Sequence, residues 1–287
     1  MIENINCCQL RIGFMPANGR KLDSWNSIKH YIWFSKRKEM FGTKTNTCSL
    51  GDILRIPISN FSIILLVFII FNYIMKKIVF IGTVHKEIGQ CSAISLFRIL
   101  EKIRPDVIFL EALPDTYSDY DNFLFTQYNV FHDKLEIHAL QLYFKLYNAN
   151  YVPVLDVHLP KVFDEKFDPL CNLLEYQRLL EYSKAQLTDK GFDFLNSYEG
   201  DFLQEKLRVF EREYWKDNKV NEEFDKGINI YEDSMLNNIF SYCDSNEFHS
   251  AIFMCGAAHK NSIDQKVRNR INNEGSSIIW ENYGCVK

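Results

Sequence analysis

Two segments of the sequence place a histidine three residues after a glycine that ends an apolar run. In the first segment the run "KKIVFI" leads into Gly82 and then His85, and in the second "AIFMC" leads into Gly256 and then His259. A glycine after a strand allows a tight turn and a close approach of the backbone to a ligand. A histidine at such a turn supplies a neutral nitrogen ligand for a metal ion, or a general base near pH 7.

Carboxylates and a further histidine follow other apolar runs of the chain. Glu111 interrupts the end of "DVIFLEAL", and because an unpaired buried carboxylate is costly we expect it in a functional site. Asp156 and His158 end the run "YVPVLDVH", where the alternative is a strand-end turn or cap. Glu87 follows the first G-x-x-H, where the alternative is an exposed loop glutamate. Structural roles are expected for three other histidines, His132, His138 and His249.

The elements around these residues would bring them together. The runs "KIVFIG", "SAISLFRILEKI" and "PDVIFLEAL" predict a buried strand, a helix and a second strand, which form a β-α-β unit with parallel strands. Further strands are predicted at Tyr151–Val157, "HSAIFMCG" and "SSIIWE", and helices at "KLEIHALQLYFKLYNAN" and "NSIDQKVRNRINN". Ligands of an open parallel sheet bind beyond the carboxyl ends of its strands. Two histidines and two carboxylates there would make a metal site or an acid–base site.

The sequence therefore predicts an α/β fold over residues 76–287, with a mainly parallel central sheet flanked by helices and a helical insertion at about 165–245. The apolar fraction of 47% and the charged fraction of 24% are ordinary for a folded soluble protein. A net charge of -4 gives no whole-chain case for nucleic-acid binding. The eight cysteines include no C-x-x-C pair, which favours reduced thiols and a cytoplasmic location.

The first seventy-five residues do not follow this pattern. Residues 1–55 show no sustained period, and residues 56–75 run for twenty residues without a charge, which suffices to cross a bilayer. One alternative is that 56–75 is a buried core element. The other is that the natural protein starts at Met75, so that residues 1–55 and the apolar segment before Met75 are not part of it. A chain starting at Met75 would be cytoplasmic, whereas a true span would anchor the domain to a membrane.

The G-x-x-H segments also carry a resemblance to a known family. "FIGTVHKE", followed by a helix and "RPDVIFLEAL", resembles the opening of the TraB/PrgY/GumN group, which includes the Tiki proteases and belongs to the erythromycin esterase/ChaN-like superfamily. "MCGAAHKNSI" resembles the second G-x-x-H of that group. The resemblance spans about residues 76–287 and implies that His85, His259 and Glu111 bind a metal or act in catalysis.

One segment departs from the pattern of that group. "YEDSMLNNI" resembles a stretch of the type E-R-D-x-x-M, in which Asp233 and Met235 match but Glu232 stands where the arginine is expected. The departure puts in question a substrate-binding or charge-balancing role that depends on this arginine, and it suggests an inactive, divergent domain as one alternative.

The function we expect is that of a metal-dependent hydrolase of peptide or ester bonds. A divalent metal ion would be held by His85 and His259 with Glu111, or Glu111 would be the general base. The chain has no H-E-x-x-H sequence, so a helix-borne zinc protease site is excluded. Without a metal, His85 or Glu111 would activate water directly. The alternative is a non-enzymatic binding or regulatory protein of the pheromone-shutdown or haem-binding type, with a membrane contact through residues 56–75.

Overall fold

The computed structural model describes residues 75–114, 131–158, 169–216, 218–274 and 278–284. Residues 1–55 and the apolar segment 56–75, apart from Met75, lie outside these ranges. Within the described ranges, no helix is both long enough and apolar enough to cross a membrane. The cysteines described, Cys91, Cys171, Cys243 and Cys255, are free thiols and are buried.

A five-stranded parallel sheet forms the centre of the fold, and its strand order is β3-β2-β4-β1-β5. The strands are β1 (Lys76–Thr83), β2 (Val107–Leu110), β3 (Asn150–Pro153), β4 (Ser250–Gly256) and β5 (Ile278–Asn282). The helices are α1 (Ala93–Ile103), α2 (Leu135–Phe144), α3 (Leu174–Lys190), α4 (Phe192–Leu195), α5 (Tyr198–Trp215), α6 (Asn218–Ser245) and α7 (Lys260–Glu274). The predicted α/β fold with a parallel sheet flanked by helices is confirmed.

Alternating side chains of the strands build a core on each face of the sheet. Val79 and Ile81 of β1 pack with α1, α2 and α4 on one face, whereas Ile78 and Phe80 pack with α6 and α7 on the other. Strands buried on both faces are near-continuous apolar runs, which explains the apolar runs of β1, β2 and β4. Phe80 stacks on Phe253 of the neighbouring strand at a centroid distance of 5.0 Å, so the centre of the sheet is rigidly packed.

The third strand is shorter than the sequence predicts. We predicted a strand over Tyr151–Val157, but β3 ends at Pro153. Val154 and Leu155 still donate backbone hydrogen bonds to Leu110 and Ala112, each at 3.0 Å. The chain then reaches the exposed Asp156, where regular pairing with β2 has stopped.

Helices α3, α5 and α6 lie between β3 and β4 in the sequence and share an apolar cluster of their own. Its buried members are Leu170, Cys171, Tyr176, Leu180, Leu207 and Phe224. This cluster gives the helical segment a packing centre beside the sheet. The segment is joined to the sheet by polar contacts near the candidate site as well as by apolar packing.

Asn196, which follows α4, joins the helical segment to the end of β1. Its Oδ1 accepts from the Gly82 N–H at 2.7 Å, and its Nδ2 donates to the carbonyls of Gly82 and Phe192, each at 3.1 Å. The side chain is buried, so it satisfies backbone groups that water cannot reach. Asn196 therefore fixes the strand end that leads to His85.

Replacing Asn196 with leucine is expected to lower the free energy of unfolding by about 2 kcal/mol, because the buried N–H and carbonyl of Gly82 lose their partner. Urea unfolding of the full chain measures this change. Asn246→Leu is the matched control, since Asn246 also donates to a carbonyl four residues back but is exposed. Equal unfolding midpoints for both variants would refute the role assigned to Asn196.

Candidate functional site

The two G-x-x-H segments meet at the carboxyl edge of the sheet. Strands β1 and β4 are adjacent and parallel, with Thr83 opposite Gly256. His85 follows β1, and His259 ends the 3-10 turn that follows β4. A Cβ atom on Gly82 would lie 3.1 Å from the Ala257 Cβ and 3.2 Å from the Asn196 Oδ1. Glycine at this position therefore permits the two segments to approach each other closely.

A buried glutamate of α2 holds His85. The Nδ1 of His85 lies 3.0 Å from the Glu136 Oε1, which also accepts the Thr83 hydroxyl at 2.7 Å. Burial alone would raise the pKa of Glu136, but the charges of His85 and Lys134 and the hydrogen bonds from His85 and Thr83 lower it to about 2. Glu136 is therefore an ionised carboxylate that orients the imidazole.

His259 has the same arrangement with a glutamate of α6. Its Nδ1 lies 2.9 Å from the Glu232 Oε1, and the two side chains are 1% and 0% exposed. The other oxygen of Glu232 accepts the Ser262 hydroxyl at 2.6 Å and lies 3.2 Å from the Lys266 Nζ. Burial would raise the pKa of Glu232, but the His259 hydrogen bond and charge, Ser262 and Lys266 lower it. The residue that replaces the expected arginine is thus the partner of His259.

Glu111 lies at the end of β2 and interacts with both histidines. It is 4% exposed, and its two oxygens accept the Tyr231 hydroxyl and the Gly256 N–H, each at 2.6 Å. Burial would raise its pKa, but the charges of His259 and His85 lead the effects that lower it. A carboxylate held ionised in this way is a weak general base at neutral pH. The geometry favours Glu111 as a fixed negative charge or ligand.

The secondary candidates make other contacts. The Glu87 Oε1 accepts the Ala93 N–H at 2.8 Å at the start of α1 and lies 3.5 Å from the His138 Nδ1. The Asp156 Oδ2 accepts from Asn238 at 2.6 Å on the exposed surface. Asp233 is exposed and pairs with Lys266 at 2.8 Å. His158 is exposed too. These contacts explain Glu87 as a helix cap and Asp156 and Asp233 as surface links. The structure does not explain the role of His158.

Two partners of the site were absent from the residues that we predicted. Glu136 is the acidic residue of the mostly apolar helix sequence "LEIHALQLYF". An acidic residue on a helix that is buried nearly all round is a signal that could have been used. Tyr231 gave no comparable signal, because a buried tyrosine is usual in an apolar core. Its contact with Glu111 joins residues 120 positions apart.

A cavity of about 210 Å³ lies against His259. Its walls come from α5, α6 and the segment that leads into α7, and they mix apolar and charged side chains. The apolar lining residues are Leu207, Phe224 and Ile228, and the charged ones include Arg208, Glu211, Arg212 and Asp225. The candidate site therefore has space for a small ligand next to one of its two imidazoles.

The side-chain chemistry fits a divalent cation in part. Metal-binding histidines usually donate their second ring N–H to a carboxylate or carbonyl, as the Nδ1 atoms of His85 and His259 can do with Glu136 and Glu232. Within the described residues, however, no group of three or more histidine, cysteine, aspartate or glutamate side chains is arranged to hold a metal ion. The described residues therefore offer two oriented imidazoles but no closed protein cage.

Comparison of the chain with models of protein families, with curated proteins and with solved structures finds no match. The candidate site therefore stands on its own geometry.

The depressed pKa of Glu136 makes a contribution to stability that depends on pH. Since its pKa falls from an ordinary 4.5 to about 2, the stabilisation is present above pH 4.5 and is lost as the pH falls towards 2. Glu136→Gln keeps an acceptor for Thr83 but removes the charge. We expect it to lower the free energy of unfolding by roughly 3 kcal/mol at pH 7 and by progressively less below pH 4.5.

Urea unfolding of the wild type and of Glu136→Gln from pH 7 to pH 3 tests this expectation. Glu181→Gln, on the exposed face of α3, is the control and should change stability by less than about 0.5 kcal/mol at any pH. A difference between wild type and Glu136→Gln that does not vary with pH would contradict the depressed pKa.

Proposed function

We propose that this chain is a metal-dependent hydrolase of peptide or ester bonds, with its reaction centre at His85, His259 and Glu111. The observation that carries the proposal is the pair of imidazoles, each held at Nδ1 by a buried glutamate, whose charges both act on one buried ionised carboxylate. Groups with opposed charges and shifted pKa values are concentrated at reaction centres. The TraB/PrgY/GumN resemblance, which implies the same three residues, supports the proposal.

Each histidine–glutamate pair fixes the tautomer of its imidazole. When the carboxylate accepts the proton at Nδ1, the lone pair of the neutral ring lies on Nε2, the atom that binds a metal ion or accepts a proton. His85 is 17% exposed at its side chain and His259 is nearly inaccessible. The rings are therefore set to present Nε2 at a site that is largely shielded from water.

The cation would be held by His85 and His259, with Glu111 contributing negative charge beside it. When bound, a divalent metal polarises the carbonyl of the substrate and lowers the pKa of a bound water molecule. Tyr231 and the Gly256 N–H hold both oxygens of Glu111, so the charge stays in place. In the hydrolysis, water adds to the carbonyl carbon, the bond to the leaving nitrogen or oxygen breaks, and the leaving group takes up a proton.

The first test is the metal content of the full chain after loading with Zn²⁺, Mn²⁺ or Co²⁺ and dialysis, measured by mass spectrometry of the metal. We expect about one metal ion per chain, lost in His85→Ala/His259→Ala and retained in the control His249→Ala, whose backbone lies at the opposite edge of the sheet. Glu136→Gln and Glu232→Gln should each weaken metal affinity by about 10- to 100-fold.

The second test is hydrolysis of a fluorogenic peptide library and of 4-nitrophenyl acetate by the same proteins. Hydrolysis that needs the metal and is lost in the double variant supports the proposal. Hydrolysis that continues after the metal is removed with a chelator, but that needs His85, would replace the metal-dependent mechanism with direct activation of water by His85. Metal or ligand binding without hydrolysis would favour the binding or regulatory alternative. Absence of both in folded wild-type protein would refute the assignment.

A further inference from the structure

The cavity beside His259 is lined by an arginine, Arg208, whose ion pair within the described residues is a long one, at 4.0 Å. Arg212 and Asp225 form an ion pair on its wall, with Arg212 Nη2 at 3.0 and 3.2 Å from the two carboxylate oxygens. Glu211 is buried and accepts the Tyr176 hydroxyl at 2.8 Å. These charged side chains are therefore already engaged by protein groups. Arg208 differs from Arg212, because the carboxylate it pairs with is 4.0 Å away.

Arg208 is anchored by a neutral group. Its Nη2 donates to the Ala258 carbonyl at 2.7 Å, which places the guanidinium next to His259. Among the described carboxylates, the one paired with Arg208 is that of Glu205, at 4.0 Å and half exposed. An exposed pair at that distance contributes little. Because a guanidinium carries five N–H donors, Arg208 retains both charge and donors for a ligand in the cavity.

The rest of the cavity limits the chemistry of that ligand. A volume of about 210 Å³ is below the usual range of roughly 300–1,000 Å³ for drug-sized ligands. Leu207, Phe224 and Ile228 provide apolar wall, so part of the ligand is hydrocarbon. A guanidinium whose ion pair is at 4.0 Å can take a closer anion, and its planar fork matches a carboxylate held by two parallel hydrogen bonds.

We propose that this cavity binds the free carboxylate of a small N-acylated amino acid, or of the C-terminal residue of a short peptide, with Arg208 as the carboxylate-binding residue. The apolar side chain of the ligand packs against Leu207, Phe224 and Ile228. Arg208 is hydrogen-bonded to the carbonyl of Ala258, the residue before His259. A ligand whose carboxylate binds Arg208 therefore has its amide close to the His259 imidazole. Cleavage of this amide depends on the hydrolase function proposed above, whereas binding of the carboxylate does not.

Isothermal titration of the full chain tests the binding with three probes: N-acetyl-leucine, N-acetyl-leucinamide and inorganic phosphate. We expect the acid to bind at least tenfold more tightly than the amide, and more tightly than phosphate. Arg208→Met should lower the affinity for the acid to that for the amide. Arg208→Lys should recover part of it, because a lysine keeps the charge but not the two-pronged geometry. Arg178→Met, an exposed arginine on α3, should bind the acid as the wild type does.

The wild-type comparison of acid with amide needs no variant, so the proposal can fail even if Arg208→Met does not fold. Equal affinities for acid and amide, or tighter binding of phosphate, would overturn it, as would unchanged affinity in folded Arg208→Met. Acid binding that requires Arg208, in a chain that hydrolyses nothing, supports this inference while the hydrolase proposal fails. Hydrolysis that depends neither on the terminal carboxylate of the substrate nor on Arg208 would support the hydrolase proposal and overturn this inference.

Discussion

The burial of three ionised carboxylates at one edge of the sheet is the constraint on which the candidate site depends. Glu111, Glu136 and Glu232 are each at most 4% exposed, and an uncompensated buried charge costs several kcal/mol. Each therefore has to meet donors or positive charge at short range. Those donors come from β1, β4, α6 and α7 and from the turns after β1 and β4, so meeting the constraint fixes how these elements lie against each other.

Parallel pairing of β1 with β4 makes this compensation possible. Their register sets Thr83 opposite Gly256, so the two segments that carry the histidines leave the sheet side by side. Gly82 has no side chain to separate them, and Asn196 satisfies the backbone at the same point. The helical segment between β3 and β4 is thereby attached to the strand end, and its helices α5 and α6 form walls of the cavity beside His259.

Much of this arrangement could be predicted from the sequence, because buried parallel strands are short apolar runs and their polar ends gather at one edge. That logic identified His85, His259 and Glu111. It could not identify Glu136 and Glu232 as their partners, which lie 51 and 27 positions away and are placed by the packing of α2 and α6. The same logic included Glu87 and Asp156, which instead form hydrogen bonds to nearby elements. Such hydrogen bonds are an ordinary structural role for carboxylates near strand ends.

Asp264 is a buried carboxylate with a different environment from the three glutamates. It accepts from Trp280 and Asn282 and links α7 to β5, and burial raises its pKa. A buried carboxylate can thus link a helix to a strand without an imidazole partner and without a lowered pKa. Buried ion pairs can often be replaced by apolar side chains without loss of stability. Two imidazole–carboxylate pairs whose histidines interact with Glu111, beside a cavity lined by Arg208, are the features on which the proposed ligand binding and reaction rest.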